Sequence, residues 1–188
     1  GKFRQADALY TRSIAVDQAL APEEGLSQAV SIGNRARIRF RQGDYAEAEA
    51  DIRDAIQRKQ RLLGADYDDN GSSYDHANLV EVLIARGRLD EARGIADNAL
   101  TKARRRHHQA HPDVAFALTV EAELMVAGGD RQRAASFAEQ AVAMYVALAD
   151  QASEKAIRAR LMLGEILQSL GRGDEARSQL ESSLAAAV

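Results

Sequence analysis

Two short clusters contain the residue types that bind metal ions. The segment 66–71, Asp-x-Asp-x-Asn-Gly, fits the first half of an EF-hand calcium loop, in which oxygen ligands alternate along the chain. The second half of such a loop does not follow, because Ala77 stands where a bidentate glutamate is required. We therefore predict a solvated loop at this segment.

Histidines 107, 108 and 111 form the second cluster and carry nitrogen ligands of the kind that zinc prefers. They follow three consecutive arginines, 104–106, whose positive charge repels a cation. A simpler interpretation is a helix end at which basic side chains complement the negative end of the helix dipole. The sequence thus predicts no metal site and no bound cofactor.

Composition and motifs exclude several classes of function. The chain has no cysteine, which removes thiolate chemistry and permits a cytoplasmic location. It also lacks the Gly-x-Ser-x-Gly, Walker, His-Glu-x-x-His and dinucleotide motifs, so we predict that it is not an enzyme. A net charge of -3 provides no positive electrostatic field that would attract nucleic acid. The longest apolar run, 141–149, is about half of the roughly 18 to 20 residues that a membrane-spanning helix needs.

Glycines recur along the chain at nearly constant spacing and reveal internal repeats. They stand at positions 1, 43, 87, 129 and 171, and an alanine follows each of them by five residues. This periodicity, with few prolines and no alternating strand pattern, predicts an all-α chain of about nine helices arranged as helical hairpins. The helices should end near Gly43, Gly87, Gly129 and Gly171. The predicted core positions are Ala48, Ala55, Leu79, Ala92, Ala99, Ala134, Ala141, Leu163 and Ala176.

Several of these motifs resemble those of the tetratricopeptide repeat family. Leu163-Gly164 and the segment 43–49, Gly-Asp-Tyr-Ala-Glu-Ala-Glu, are similar to the paired motifs of that family, and His111-Pro112-Asp113 resembles a loop of its long-period, kinesin-light-chain-like subtype. The resemblance implies a right-handed solenoid of αα-hairpins. It also implies that the chain is a fragment of a larger bacterial protein. As a single array it would comprise a truncated repeat at 1–24 and repeats at 25–66, 67–110, 111–152 and 153–188.

The same resemblance implies a concave groove lined by the first helix of each hairpin. Their positions in the repeat place Gly33, Ala77, Thr119 and Val120 in this groove, together with the candidates named below. An asparagine amide could accept from and donate to the backbone of an extended peptide; alternatively, the asparagines tie neighbouring helices together. The candidate peptide-binding residues are Asn34, Arg37, Phe40, Arg41, Tyr74, Asn78, Glu81, Phe116 and Glu123.

Charge along this face is uneven, with arginines before glutamates. Arg37 and Arg41 would favour an acidic or mixed-charge peptide, although these positions could equally be solvated ones with partners in their own helices. We expect a protein-protein interaction scaffold in a signalling or regulatory protein. The alternatives are a peptide-sensing domain that controls an attached output domain, and the non-catalytic tail of a bacterial protein kinase.

The two ends present apolar residues without a polar capping helix. Phe3, Tyr10 and Ile14 near the start should require cover from outside the chain, and the C-terminal segment 184–188 is apolar. We therefore predict weak self-association through one of these ends.

Overall fold

A computed structural model describes residues 2–20, 25–64, 73–150 and 152–186. Within these residues the chain forms nine α-helices and no strand, which confirms the predicted all-α class. The helices are α1 (Lys2–Leu20), α2 (Leu26–Gln42), α3 (Tyr45–Leu63), α4 (Ser73–Ala85), α5 (Leu89–Arg106), α6 (Pro112–Ala127), α7 (Arg131–Ala147), α8 (Glu154–Ser169) and α9 (Gly173–Ala186). The segment 66–71, considered above for calcium, lies outside the described residues.

The repeated glycines close the first helix of each hairpin through a left-handed turn. Gly43 has φ +87°, a conformation that glycine adopts without steric cost. Its amide donates to the carbonyl of Phe40 (3.1 Å), and the Asp44 amide donates to that of Arg39 (3.0 Å). These bonds satisfy carbonyl groups that a helix end otherwise leaves unpaired. Positive φ recurs at Gly87, Gly129 and Gly171, so the predicted helix ends are confirmed.

The helices belong to two compact units, residues 1–88 and 89–188. In unit 1, neighbouring helices pack against each other from α1 through α4; in unit 2, neighbouring helices do so from α5 through α9. The predicted repeat 67–110 straddles the division between the units, and a single continuous array stays a prediction.

The core consists of small and aliphatic side chains on the faces that the repeat register predicts. In unit 2, Leu100 and Ala103 of α5 pack with apolar residues of α6 and with Ala141 of α7. All the predicted core alanines and leucines are buried except Ala99, which is half-buried. That prediction is wrong because Ala99 lies at the edge of the buried face of α5, which is formed by Ala92, Ala96, Leu100 and Ala103.

Close helix packing explains one of the family-like glycines. A Cβ atom on Gly164 of α8 would lie 2.9 Å from the Leu180 side chain of α9 and 3.5 Å from the Ala176 carbonyl. Glycine therefore allows α8 and α9 to approach more closely than a residue with a side chain would.

Candidate peptide-binding surface on the first helices

First helices of successive hairpins adjoin one another within each unit. In unit 1, α2 contacts α4 in addition to α3; in unit 2, α6 contacts α8 in addition to α7. In unit 1 the approach is close at Gly33, where an added Cβ would lie 3.4 Å from Asp75 Oδ1 of α4. Residues that point away from this contact on α2 and α4 can therefore contribute to one surface.

Gly33 and Ala77 do not belong to that surface, because both are buried. Gly33 lies against Asp75 and Ala55, so its lack of a side chain serves helix packing. Asp75 is buried as well and pairs with Lys59 of α3. The prediction that these two small residues line a groove is thus wrong, and their positions belong to the interface between helices.

Asn34 and Asn78 lie on α2 and α4 and are half-buried. Neither side-chain amide makes a hydrogen bond within the described part of the chain. Among the described residues, therefore, no hydrogen bond from these asparagines ties the helices together. Their donors and acceptors are available to a further group.

Four arginines alternate along α2 and divide between its two sides. Arg35 and Arg39 pair with Asp51 of α3, at 2.7 and 3.0 Å. Arg37 and Arg41 are exposed, and neither has a hydrogen-bond or ion-pair partner among the described residues. Since Arg37 and Arg41 are one helical turn apart, their guanidinium groups can approach the same anionic group.

The remaining unit 1 candidates flank this polar pair. Phe40 is half-buried and contacts the Tyr45 ring, with the ring centroids 5.5 Å apart. Tyr74 is exposed and Glu81 is half-buried. Spacings of four and three residues place Tyr74, Asn78 and Glu81 on one face of α4. The unit 1 surface therefore combines aromatic rings, amides and charges.

The corresponding residues of unit 2 are occupied by contacts between helices. Glu123 of α6 accepts a hydrogen bond from Arg158 of α8 at 2.7 Å. Phe116 is half-buried, and the Lys155 ammonium lies 5.4 Å from its ring centroid. Both predicted candidates on α6 are thus in contact with basic side chains of α8.

Thr119 and Val120 correct the predicted groove in unit 2. Both side chains are buried, as are most residues between Val114 and Met125. Helix α6 is apolar around most of its circumference and packs against α5, α7 and α8, which explains the burial. The first-helix surface of unit 2 is consequently narrower than the repeat register predicts.

The burial of Glu121, a carboxyl group in α6, was not predicted from the sequence. Glu121 is 1% exposed, and its Oε1 atom has no hydrogen-bond partner in the described part of the chain. Burial, followed by the charge of Asp97 and a hydrogen bond with it, raises the pKa of Glu121 to about 7, against the opposing charges of Arg93 and Arg104. The sequence signal was its position: Leu79 and Leu163 stand, like Glu121, eight residues before a turn glycine.

The apolar residues of the helices at the chain ends are only partly exposed, although the sequence predicted that all of them need a partner outside the chain. Ile14 is buried against Ile32 and Ala55, so the prediction that it requires an external partner is wrong. Phe3 is 50% exposed, and Tyr10 is half-buried. On α9, Leu184 is 71% exposed. Self-association through these residues stays a prediction.

Comparison with known proteins agrees with the helical-hairpin geometry. Three tetratricopeptide repeat models match residues 29–69, 72–145 and 157–182. The chain belongs to the tetratricopeptide repeat family. Repeats of this family generally mediate protein-protein interaction and typically form non-catalytic scaffolds.

Solved structures of tetratricopeptide repeats share the fold at low sequence identity. BtubC (BKLC) from P. vanneervenii is 21% identical with a TM-score of 0.75, and the match covers 100% of this chain and 74% of that one. Nearly identical, kinesin-light-chain-like TPR repeats from Podosopora anserina are 20% identical to this chain with a TM-score of 0.68, and the match covers 99% of this chain and 87% of that one. A search of curated proteins found no match.

Crossing a membrane makes demands that the helices of the described ranges do not meet. None of these helices combines the length and the apolar composition that a bilayer span requires.

Proposed function

We propose that the chain is a non-catalytic interaction module that binds an extended, acidic peptide on the α2/α4 surface of unit 1. This surface is defined by Asn34, Arg37, Arg41, Tyr74, Asn78 and Glu81. The observation that carries the proposal is the lack of partners for the Arg37 and Arg41 guanidinium groups and the Asn34 and Asn78 amides within the described residues.

Arg37 and Arg41 supply the preference for acidic ligands. A guanidinium group binds a carboxylate through two parallel hydrogen bonds, and such charge-assisted bonds are stronger than neutral ones. Because both arginines are exposed, their attraction for a peptide should weaken as salt screens the charges. Nearby Arg35 and Arg39 cannot play this role, since they already pair with Asp51 and, in the case of Arg39, with Asp7.

Asn34 and Asn78 supply affinity that is independent of peptide charge. Each amide has one acceptor and two donor hydrogens, which match the N–H and C=O groups of an extended backbone. Tyr74 adds an exposed ring beside Asn78 against which an apolar peptide side chain can pack. A larger bacterial signalling protein in the cytoplasm, the setting expected from the sequence, stays a prediction.

The experiment measures fluorescence anisotropy with labelled ten-residue peptides that share apolar positions and differ only in Glu, Gln or Lys at the others. Arg37→Ala/Arg41→Ala should weaken binding of the Glu peptides about tenfold or more, which corresponds to about 1.4 kcal/mol, and should reduce the salt dependence. Asn34→Ala/Asn78→Ala should weaken Glu and Gln peptides by similar factors.

Arg4→Ala/Arg12→Ala provides the matched control, because it removes the same charge from exposed positions of α1, outside the α2/α4 surface. Its binding should equal that of the original chain at physiological salt. Equal losses in both arginine double variants would show that only net charge matters and would contradict the proposed site. Thermal unfolding of every variant checks that the fold is retained.

A further inference from the structure

The connection between α5 and α6 brings two histidines and an aspartate together inside unit 2. His107 follows the last residue of α5, His111 precedes α6, and Asp113 lies in the first turn of α6. All three side chains are half-buried, and one potential ligand atom from each lies within 4.8 Å of the other two. They are the only residues in the described ranges that form such a group.

The separations between these atoms are longer than hydrogen bonds. Asp113 Oδ2 lies 3.5 Å from His107 Nε2 and 3.6 Å from His111 Nδ1. His107 Nε2 is buried and has no hydrogen-bond partner in the part of the chain that the structure describes. In a tetrahedral zinc site with bonds of about 2.0 to 2.1 Å, neighbouring ligand atoms are about 3.3 to 3.4 Å apart. The observed separations are close to that value.

We propose that His107, His111 and Asp113 bind one zinc ion at the α5–α6 connection. Two imidazole nitrogens and one carboxylate oxygen are a ligand set that zinc uses, and three protein ligands leave a fourth position for water. This proposal departs from the expectation of no metal, which rested on the preceding arginines. Zinc here would join the end of α5 to the start of α6.

Burial and charges of both signs act on His107. Burial, followed by the charge of His111, lowers the pKa of His107, and Arg106 lowers it further, whereas Asp113 acts in the opposite direction. The carboxylate of Asp113 contributes a compensating negative charge.

The arginines reduce the affinity without occupying the site. Residues 104–106 form the last turn of α5 and are exposed, and Arg104 donates a hydrogen bond to Gln140 of α7 at 3.2 Å. The positive charge of Arg106 acts on His107. Arg106→Ala should therefore tighten zinc binding, an effect that increases at low salt.

Coordination also requires local movement of the rings. The two imidazoles are stacked, with centroids 3.3 Å apart and planes 5° from parallel. One ion cannot lie in both ring planes in this arrangement, so one ring must rotate. His111 Nδ1 also accepts a hydrogen bond from the Asp113 amide at 3.2 Å, which zinc at this atom would replace. Long-range ¹⁵N NMR of the histidines should report both changes.

The test is calorimetric titration of the purified chain with Zn²⁺ after removal of metals by EDTA. We expect one strong site per chain and a melting temperature that rises with Zn²⁺ concentration, because a ligand of the native state stabilises it. His107→Gln should weaken zinc binding at least tenfold. Co²⁺ should give the intense visible absorption of a tetrahedral complex in the original chain.

His108→Gln is the matched control, since His108 is adjacent in sequence, exposed and outside the three-residue group. It should bind Zn²⁺ as the original chain does. No binding by the original chain, or equal binding by His107→Gln, would overturn the proposal, as would an equal loss in His108→Gln. If His107→Gln fails to fold in EDTA, Asp113→Asn, which leaves both histidines in place, decides by the same tenfold criterion.

Discussion

Unit 1 and unit 2 place buried carboxyl groups in opposite electrostatic surroundings. In unit 1, the buried residues Glu49, Asp51 and Asp75 each pair with basic side chains. In the described part of unit 2 the buried acidic residue is Glu121, which lies beside another carboxyl group, that of Asp97. Buried charges are tolerated when they are paired, so the pairs of unit 1 stabilise ionised carboxylates and the pair of unit 2 favours a protonated one.

Equivalent repeat positions account for this difference. Arg35 and Glu121 both stand eight residues before a turn glycine, at 43 and 129. Arg35 contacts Thr11 of the preceding helix and Asp51 of the following one. In the repeat of Glu121, Asp97 takes the position of Thr11, and Phe137 takes the position of Asp51. The repeat therefore determines which positions are in contact. The residue types at those positions determine whether the contact stabilises a charged side chain.

Glu49 shows how several basic residues can outweigh burial. Burial alone would raise its pKa, but hydrogen bonds and charges from Arg53 and Arg86 lower it. Arg88 adds a third contact, at 2.7 Å. The carboxylate links α3 to the end of α4, and its stabilising contribution should be lost as the pH falls through its lowered pKa.

The largest expected effect comes from breaking the unit 1 network at Asp51. Asp51→Ala leaves Arg35, whose side chain is mostly shielded from solvent, without its carboxylate partner, whereas Arg39 keeps Asp7 of α1. We expect the free energy of unfolding to fall by about 3 kcal/mol, because the largely shielded charge of Arg35 is left uncompensated. Chemical denaturation followed by circular dichroism measures the change.

Asp54→Ala is the control for that substitution. Asp54 is more exposed and pairs with Arg58 within one helix, so its loss should lower the free energy of unfolding by less than about 1 kcal/mol. Similar losses for the two variants would remove the contrast between the two units, because the Asp51 network would then contribute no more than a surface pair.

Glu121→Gln should give the next largest effect, and its sign depends on pH. A pKa raised to about 7 means that the folded chain holds a proton that the unfolded chain releases near pH 4.5. Stability contributed by this proton is present below pH 4.5 and is lost as the pH rises through 7. Glutamine carries no such proton, so the variant should gain up to about 3 kcal/mol over the original chain at pH 8 and little at pH 4.5.

Denaturation midpoints across this pH range provide the measurement. Glu123→Gln, two residues along the same helix, removes a partly exposed ion pair with Arg158 and should change stability by less than about 1 kcal/mol throughout. A constant difference between Glu121→Gln and the original chain from pH 4.5 to 8 would show that Glu121 stays ionised in the folded state.

Sequence reasoning succeeded where one physical requirement recurs in every repeat. Turn glycines and small core residues were predictable because a left-handed turn and close helix packing each demand particular residue types. Thr119 and Val120 were assigned to a groove because the register was applied uniformly, although α6 is surrounded by other helices. Burial of a glutamate contradicts its residue type, so only comparison with Leu79 and Leu163 could have indicated the position of Glu121.

One turn had no signal in the sequence and provides the smallest predicted effect. Ala149 has φ +54°, and the Asp150 amide donates to the Tyr145 carbonyl at 3.0 Å, as the Asp44 amide does to that of Arg39 after Gly43. Unit 2 thus uses alanine, in one connection between hairpins, for a left-handed conformation that glycine adopts within the unit 1 hairpin. A left-handed backbone conformation lowers the stability of a non-glycine residue's position by roughly 1 to 2 kcal/mol. Replacing alanine by glycine lowers stability by about 0.4 to 1 kcal/mol, because glycine gives the unfolded chain more conformational entropy.

Ala149→Gly should therefore raise the free energy of unfolding by about 0.5 to 1 kcal/mol, and Gly43→Ala should lower it by a similar amount. Ala147→Gly is the control, because Ala147 is the exposed last residue of α7. Glycine within a helix is destabilising by up to about 1 kcal/mol relative to alanine, so the two glycine substitutions should differ in sign. Urea denaturation resolves the difference, and a destabilised Ala149→Gly would contradict the left-handed turn at this position, since only there does the backbone conformation favour glycine.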